Sequence, residues 1–465
     1  MRELVSEQKN DVSFQKSSLF SKIIITTTVA ASVYVLINEF VIKKFRNYQN
    51  SLRQELLFKR QIKQRFLQTQ QDCYYTILAL LPVLTGPIVE YLPIELITQA
   101  LRLKKTEKAK VHTELTSENL NLLENNHDPE SSLSHYMNMS KIELWNLLKI
   151  KTITRTLTLM YSISGLLLIS KLQLNILARR SYLESAILMA GVKSVNNDVD
   201  PHENYITEQS YLSLSWWLLN KGWINLNSII EALATKRFDK ITPKQELTMG
   251  EFDSLLQDII TEINTNNREF ILANLFPINY SDLLETMMNT NPDLIHQLEI
   301  PESNLLKLIN ETNSIMLDSN VYFFDLLNTL ILTNLNILSS NLSMGLGNNN
   351  MGSSLLLSTG NLQQDEENKI VEIPNKSYKL ANFLAQLSIQ NGIMMDNDNL
   401  KGELPTKSQE QLDEDDIQGF INNLTTLTGD QEHGEEELSG NVYINNLNQL
   451  DELDDFSAGI YSNFE

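Results

Sequence analysis

An all-α fold is the class this sequence predicts: an elongated helical bundle around a long central helix, with one N-terminal transmembrane helix. Three observations lead there. Gly and Pro are sparse, 16 and 11 in 465 residues, so long stretches run without a breaker. Strand-like alternation is rare, whereas Leu, Ile, Asn, Glu and Gln recur in patterns of helical period. The third is residues 140–186, which carry one Gly and no Pro around an apolar middle.

That stretch organises the rest. Between Arg155 and Lys171 lie 15 residues, TLTLMYSISGLLLIS, with almost no polar face beyond small hydroxyls, so a helix here has to be covered on most sides. The interval is short of the roughly 20 residues a bilayer core requires, and Ser162, Ser164 and Gly165 weaken a span further. The reading is a buried core helix. At its front end, about 100° per residue puts Leu144, Leu147 and Leu148 on one face and turns Ile142 and Trp145 away from it. Either two neighbours sandwich the helix, or one face meets the core and the other lines an outward groove. The pattern by itself leaves both open.

In chain order, residues 1–18 read as a short polar tail and residues 19–42 as a transmembrane anchor. The anchor's last 20 residues, 23–42, are long enough as a helix to cross about 30 Å of hydrocarbon. Ala30 and Ala31 offer a signal-peptidase alternative, but the apolar run continues past them. Lys43, Lys44, Arg46, Arg53, Lys59, Arg60, Lys63 and Arg65 follow against one acid, Glu55, which places this side in the cytosol by the positive-inside rule. Lys59, Arg60, Lys63 and Arg65 are candidate contacts to anionic lipid, worth about 1 kcal/mol each near the surface. A stalk helix is expected to run to Pro82, with Gly86 and Pro87 breaking the chain. A second amphipathic helix covers 93–103, carrying Ile94, Ile97, Thr98 and Leu101. Residues 104–139 turn polar and read as a long loop.

Beyond the central helix, YLSLSWWLLNKGW (211–223) holds adjacent Trp216 and Trp217, at least one of which should be core, and Gly222 as a helix end. Helices are expected at 226–236, 247–264, 270–276, 280–288, 303–316, 319–342 and 376–390. The 319–342 stretch is apolar enough to suggest a span, but Asp325, Asn328, Asn334 and Asn336 mark a buried bundle helix. The domain parse is therefore a cytosolic helical domain at 43–342, an Asn/Ser/Gly-rich disordered loop at 343–368, and C-terminal helices at 369–465 with an acidic disordered insertion at about 396–440. Leu450, Leu453, Phe456, Ile460, Tyr461 and Phe464 predict a last helix that returns to the domain.

The net charge of −21 hides a polarity: residues 1–110 hold 17 Lys plus Arg against 9 Asp plus Glu, and residues 396–465 hold 2 against 18. An acidic chain with its basic block beside a candidate span argues for a membrane and against nucleic acid. Cys73 is the single cysteine, which excludes an intrachain disulfide and reads as a small buried residue on a helix. The six histidines lie far apart without ligand spacing, and no phosphate-binding Gly loop or nucleophile elbow is present. No catalytic residue, cofactor or metal is expected. An anchor, a stalk, a helical body and an apolar surface describe a tethered docking platform rather than an enzyme.

Three motifs in order, QIKQRFLQTQQDCYYTILALLP (61–82), KIELWNLLK with SKLQLNILARRSYLESAI (141–187) and YLSLSWWLLNKGW, closely resemble peroxin-3, the peroxisomal membrane biogenesis factor, and the ending DDFSAGIYSNF is similar to that family's terminus. The resemblance implies a single-pass peroxisomal membrane protein whose all-α cytosolic body binds the amino-terminal amphipathic helix of peroxin-19, the chaperone and import receptor for peroxisomal membrane proteins. It also permits a second role, a structural tether recruiting organelle-inheritance or autophagy (pexophagy) adaptors. Carried over by motif, the groove tryptophan is Trp145, with Lys141 one turn before it. Thr98, Leu101, Leu166 and Asn175 match further groove positions.

Overall fold

The structure is a computed structural model that describes residues 43–110, 130–189, 201–318, 322–347, 376–396 and 441–463. The expected tail, the anchor at 19–42, and nearly all of the loop at 343–368 and of the acidic insertion at 396–440 lie outside the described residues. The chain divides into two compact units, Met1–Gln68 and Thr69–Glu465.

Helix α1 (Lys43–Tyr91) does not break at Gly86 and Pro87 but runs through Pro82 and Pro87. An interior proline removes one amide donor and costs about 3 kcal/mol. Against that, Ile77, Leu78, Leu81, Leu84 and Ile88 are all fully buried, each contributing roughly 1.5–3 kcal/mol. Packing therefore overrides the local breakers. Helix α2 (Ile94–Lys110) outlasts the expected boundary at 103, and α3 (Glu130–Asn138) replaces part of the expected loop.

Helix α4 (Lys141–Met189) is the central helix, and its apolar stretch is core rather than span: 94% of its most hydrophobic window is buried. Next in the chain come α5 (Pro201–Leu212), α6 (Trp223–Phe238), α7 (Met249–Asn266), α8 (Arg268–Leu275), α9 (Tyr280–Thr290), α10 (Asn304–Leu317) and α11 (Phe323–Gly347). Several polar groups along α4 find partners on other helices, whereas Thr152 Oγ1, Thr154 Oγ1 and Ser162 Oγ are buried with none among the described residues. Tyr161 OH donates to Asn264 Oδ1 at 2.7 Å, Gln173 Nε2 to the Tyr211 carbonyl at 2.7 Å, and Asn334 Nδ2 to Ser164 Oγ at 3.1 Å. Arg155, 1% exposed, donates to both Glu95 carboxylate oxygens at 2.8 Å. These bonds make burial of a polar-studded helix affordable.

On α11, buried Asn334 uses its Nδ2 in the bond to Ser164 while its Oδ1 has no partner among the described residues, and half-buried Asn328 accepts at Oδ1 from Asn264 at 2.7 Å. The helix extends to Gly347, five residues into the expected loop. Two short strands, β1 (Glu246–Thr248) and β2 (Ser377–Lys379), pair antiparallel with Leu247 opposite Tyr378. They join segments some 130 residues apart, a pairing without a local signature. After β2 come α12 (Leu380–Met395), α13 (Val442–Asn448) and α14 (Asp451–Ser462). Helix α14 returns to pack on α4 through Leu453, Ser457 and Ile460, as the periodicity predicts.

Gly222 corrects another expectation. It ends a turn of π-helix, Leu218–Gly222, that leads directly into α6. A Cβ there would lie 1.8 Å from the Asn274 carbonyl oxygen, so glycine serves close approach of α8 rather than a helix stop. Of the tryptophan pair, Trp217 is core and donates from Nε1 to the Ala273 carbonyl at 2.9 Å, whereas Trp216 is half-buried. Cys73 is fully buried, and desolvation pushes its thiol up to about 12.

Candidate docking surface

Ser140 starts α4 with a reciprocal cap: its Oγ accepts from the Glu143 amide at 3.2 Å, and Glu143 Oε2 accepts from the Ser140 amide at 2.7 Å. These bonds hold the Glu143 carboxyl below the usual carboxylate range. Lys104, near the end of α2, donates to the Met139 carbonyl and ties that helix to the turn between α3 and α4. The start of the central helix is thus fixed from two sides.

Around this start, α2, α3 and α4 build a small apolar cluster separate from the main core. Its buried members are Ile94, Ile97, Ala100, Leu101, Leu144 and Leu148. Leu133, Tyr136, Met137 and Met139 pack against it from α3 and the following turn, and Trp145 and Leu147 from α4. Trp145 is half-buried: it rests on the cluster and keeps part of its surface open. Ile142, three residues earlier, is 76% exposed, and Lys141 is exposed beside it in sequence. Of the two arrangements left open by the sequence, Leu144 and Leu148 face inward while Ile142 faces outward.

The next turn of α4 carries a buried cation directed to the main core. Lys149, one turn after Trp145, is 2% exposed, and its Nζ donates to the carbonyls of Phe238 at 2.7 Å, Ile241 at 2.8 Å and Asp239 at 3.4 Å. It caps the C-terminus of α6, where helical carbonyls lack partners and a positive charge is favoured. Desolvation holds its ammonium below the ordinary lysine value, with Asp239 partly restoring it.

Of the residues singled out in the sequence, Trp145 and Leu101 meet in this cluster. Thr98, half-buried, lies on α2 one turn before Leu101's side of that helix and donates to its own helix at the Ile94 carbonyl, 2.7 Å. Leu166 and Asn175 are a correction. Leu166 is fully buried in the main core, and Asn175 is fully buried, donating to the Lys171 carbonyl at 2.8 Å and accepting from Gln70 at 2.9 Å. Neither has surface to offer a partner, because α4 is buried without interruption over residues 152–173 and Asn175 lies at the edge of that stretch. The α3 residues Leu133, Tyr136 and Met137 were missed inside an apparent polar loop. Their i, i+3, i+4 spacing just after Pro129 was the signal. In the first unit, Lys59, Arg60, Lys63 and Arg65 are exposed on α1. Among the described residues no group of three His, Cys, Asp or Glu side chains is gathered to hold a metal ion.

Comparison with known proteins gives this geometry its context. The family model described as Peroxin-3 matches residues 17–463. The chain is 50% identical to the peroxisomal biogenesis factor 3 of Debaryomyces hansenii over 450 residues, 96% of both chains. It is 42% identical to the peroxisomal membrane protein PEX3 of Komagataella phaffii over 46% of this chain and 50% of that one. Similarity extends to the peroxisomal biogenesis factor 3 of Saccharomyces cerevisiae, 33% identical over 54% of this chain and 60% of the other. An all-helical body around one long buried helix, with a match of this length, leads to one conclusion: the chain belongs to the Peroxin-3 family of peroxisomal biogenesis factors.

Proposed function

We propose that this chain is a peroxisomal membrane docking receptor for peroxin-19 and so supports insertion of peroxisomal membrane proteins. The peroxin-19 amino-terminal amphipathic helix lays its apolar face across the surface of α2, α3 and the start of α4, with Trp145 as central anchor and Lys141 at the edge. The observation that carries this reading is Trp145 itself, half-buried on a cluster separate from the main core and next to the exposed Ile142. Helix-in-groove recognition needs such a partly open apolar platform. Residues 19–42 anchor the chain in a single pass, the body faces the cytosol, and Lys59, Arg60, Lys63 and Arg65 lie against anionic lipid.

The test is binding of a peroxin-19 amino-terminal peptide to Trp145→Ala. A central interface tryptophan contributes about 2–4 kcal/mol, so affinity should fall roughly 30- to 1000-fold while the thermal midpoint changes little. Normal binding combined with a much lower midpoint would make Trp145 a core residue and move the site elsewhere. For the anchor, a chain lacking residues 1–44 should no longer pellet with membranes after alkaline carbonate extraction. Retention there would refute the single-anchor arrangement.

A further inference from the structure

A second apolar recess lies where α14 crosses α10 and α11 on the flank of α4. Its volume is about 630 Å³, within the roughly 300–1,000 Å³ of ligand pockets. Ile315, Leu326, Phe456 and Ile460 give it an apolar floor, and Tyr322, 73% exposed, stands at its edge. None of these residues belongs to the cluster around Trp145.

The charge around this recess is one-sided. Asp325, Glu452 and Asp455 line it and are exposed, and among the described residues no cation lies within ion-pair distance of any of them. Asp454, their neighbour on α14, is by contrast near Lys171 at 3.9 Å. The cation in the lining is Arg179, which is already engaged: it pairs with Glu311 and donates to the Ile460 carbonyl at 3.2 Å. The floor wants an apolar anchor and the rim wants positive charge. An anionic lipid head group or an acidic peptide would meet repulsion from the three carboxylates.

We propose that this recess is a second docking site, which takes an amphipathic segment of a partner protein with aliphatic anchors flanked by Lys or Arg. The apolar side chains of the segment fill the floor over Phe456 and Leu326. Its basic residues pair with Asp325, Asp455 and Glu452, which sets charge preference and orientation. The site is separate from the Trp145 surface, so both can be occupied at once.

The test uses the full chain in phosphatidylcholine nanodiscs and a short Leu/Lys amphipathic helical peptide carrying one photo-reactive leucine. Crosslinks should map to the segments holding Tyr322, Phe456 and Ile460, and binding should weaken with salt. Asp325→Lys combined with Asp455→Lys, both at exposed positions, should lower affinity at least about tenfold at low salt. Gly459→Leu blocks the recess by bulk alone, since a Cβ there meets nothing within 4 Å, and it should abolish the crosslinks while leaving the fold intact. A Leu/Glu peptide of the same pattern should not crosslink, and Trp145→Ala should leave Leu/Lys crosslinking unchanged. Crosslinks that spread over other acidic surfaces, or that persist in Gly459→Leu, would overturn the proposal.

Discussion

Replacing Lys149 by Met tests whether a buried cation joins the start of α4 to the end of α6. The side chain makes two short charged hydrogen bonds, 2.7 Å to the Phe238 carbonyl and 2.8 Å to that of Ile241, and a longer one of 3.4 Å to that of Asp239. Charged hydrogen bonds contribute about 1.5–3 kcal/mol each, so the two short ones supply roughly 3–6 kcal/mol. Met removes the desolvation penalty of the ammonium, which offsets part of that, but it leaves carbonyls in a buried corner without donors. The net expectation is a loss of about 2–4 kcal/mol, or about 3–5 °C in thermal midpoint for a domain of this size. Urea unfolding monitored by far-UV circular dichroism measures it. The pH dependence supplies an independent check. Because burial lowers the folded pKa of Lys149, the unfolded chain holds more protons between that value and 10.5, and stability from this group rises with pH across that window. The gap between wild type and Lys149→Met should therefore widen toward pH 10.5. A variant as stable as wild type would refute the capping role, and a gap that does not change with pH would refute the desolvation of the ammonium.

Gly222→Ala should cost about 1–3 kcal/mol or more despite its small size, because the new Cβ meets backbone of α8 rather than a movable side chain; thermal unfolding reads this, and a neutral result would mean α8 can shift freely. Trp217→Ala should cost about 3–5 kcal/mol in urea unfolding, far more than Trp145→Ala; equal losses at both positions would erase the distinction between core and surface tryptophans. Burial pushes the Cys73 thiol from 9.0 up to about 12, so above pH 9 the unfolded chain sheds a proton the folded one keeps, and stability falls by up to about 1.4 kcal/mol per pH unit. Cys73→Ala should flatten the stability slope between pH 9 and 10, and an unchanged slope counts against that burial. Reversing Lys59, Arg60, Lys63 and Arg65 to Glu should reduce binding to anionic liposomes most at low salt; unaffected binding would remove lipid contact from the proposal.

The amino-acid sequence by itself determined the helical class, the burial of the 155–171 stretch, the bundle role of α11 and the return of α14. Each of these is written in local periodicity or in the spacing of polar residues along one helix. It also carried the motifs by which the family is recognised. Tertiary structure decided what covers what. A helix that is apolar all round has no preferred face, so nothing local told Leu166 and Asn175, sealed under neighbouring helices, from Trp145, which α2 and α3 leave half open. The same holds for the breakers. Pro82 and Pro87 stay inside α1 because its buried leucines and isoleucines outweigh the lost hydrogen bonds, and Gly222 is set by the approach of α8, some 50 residues later in the chain. Strands β1 and β2 and the recess beside α14 likewise arise only when segments far apart in sequence are brought together, since long-range contact leaves no periodic trace in either segment.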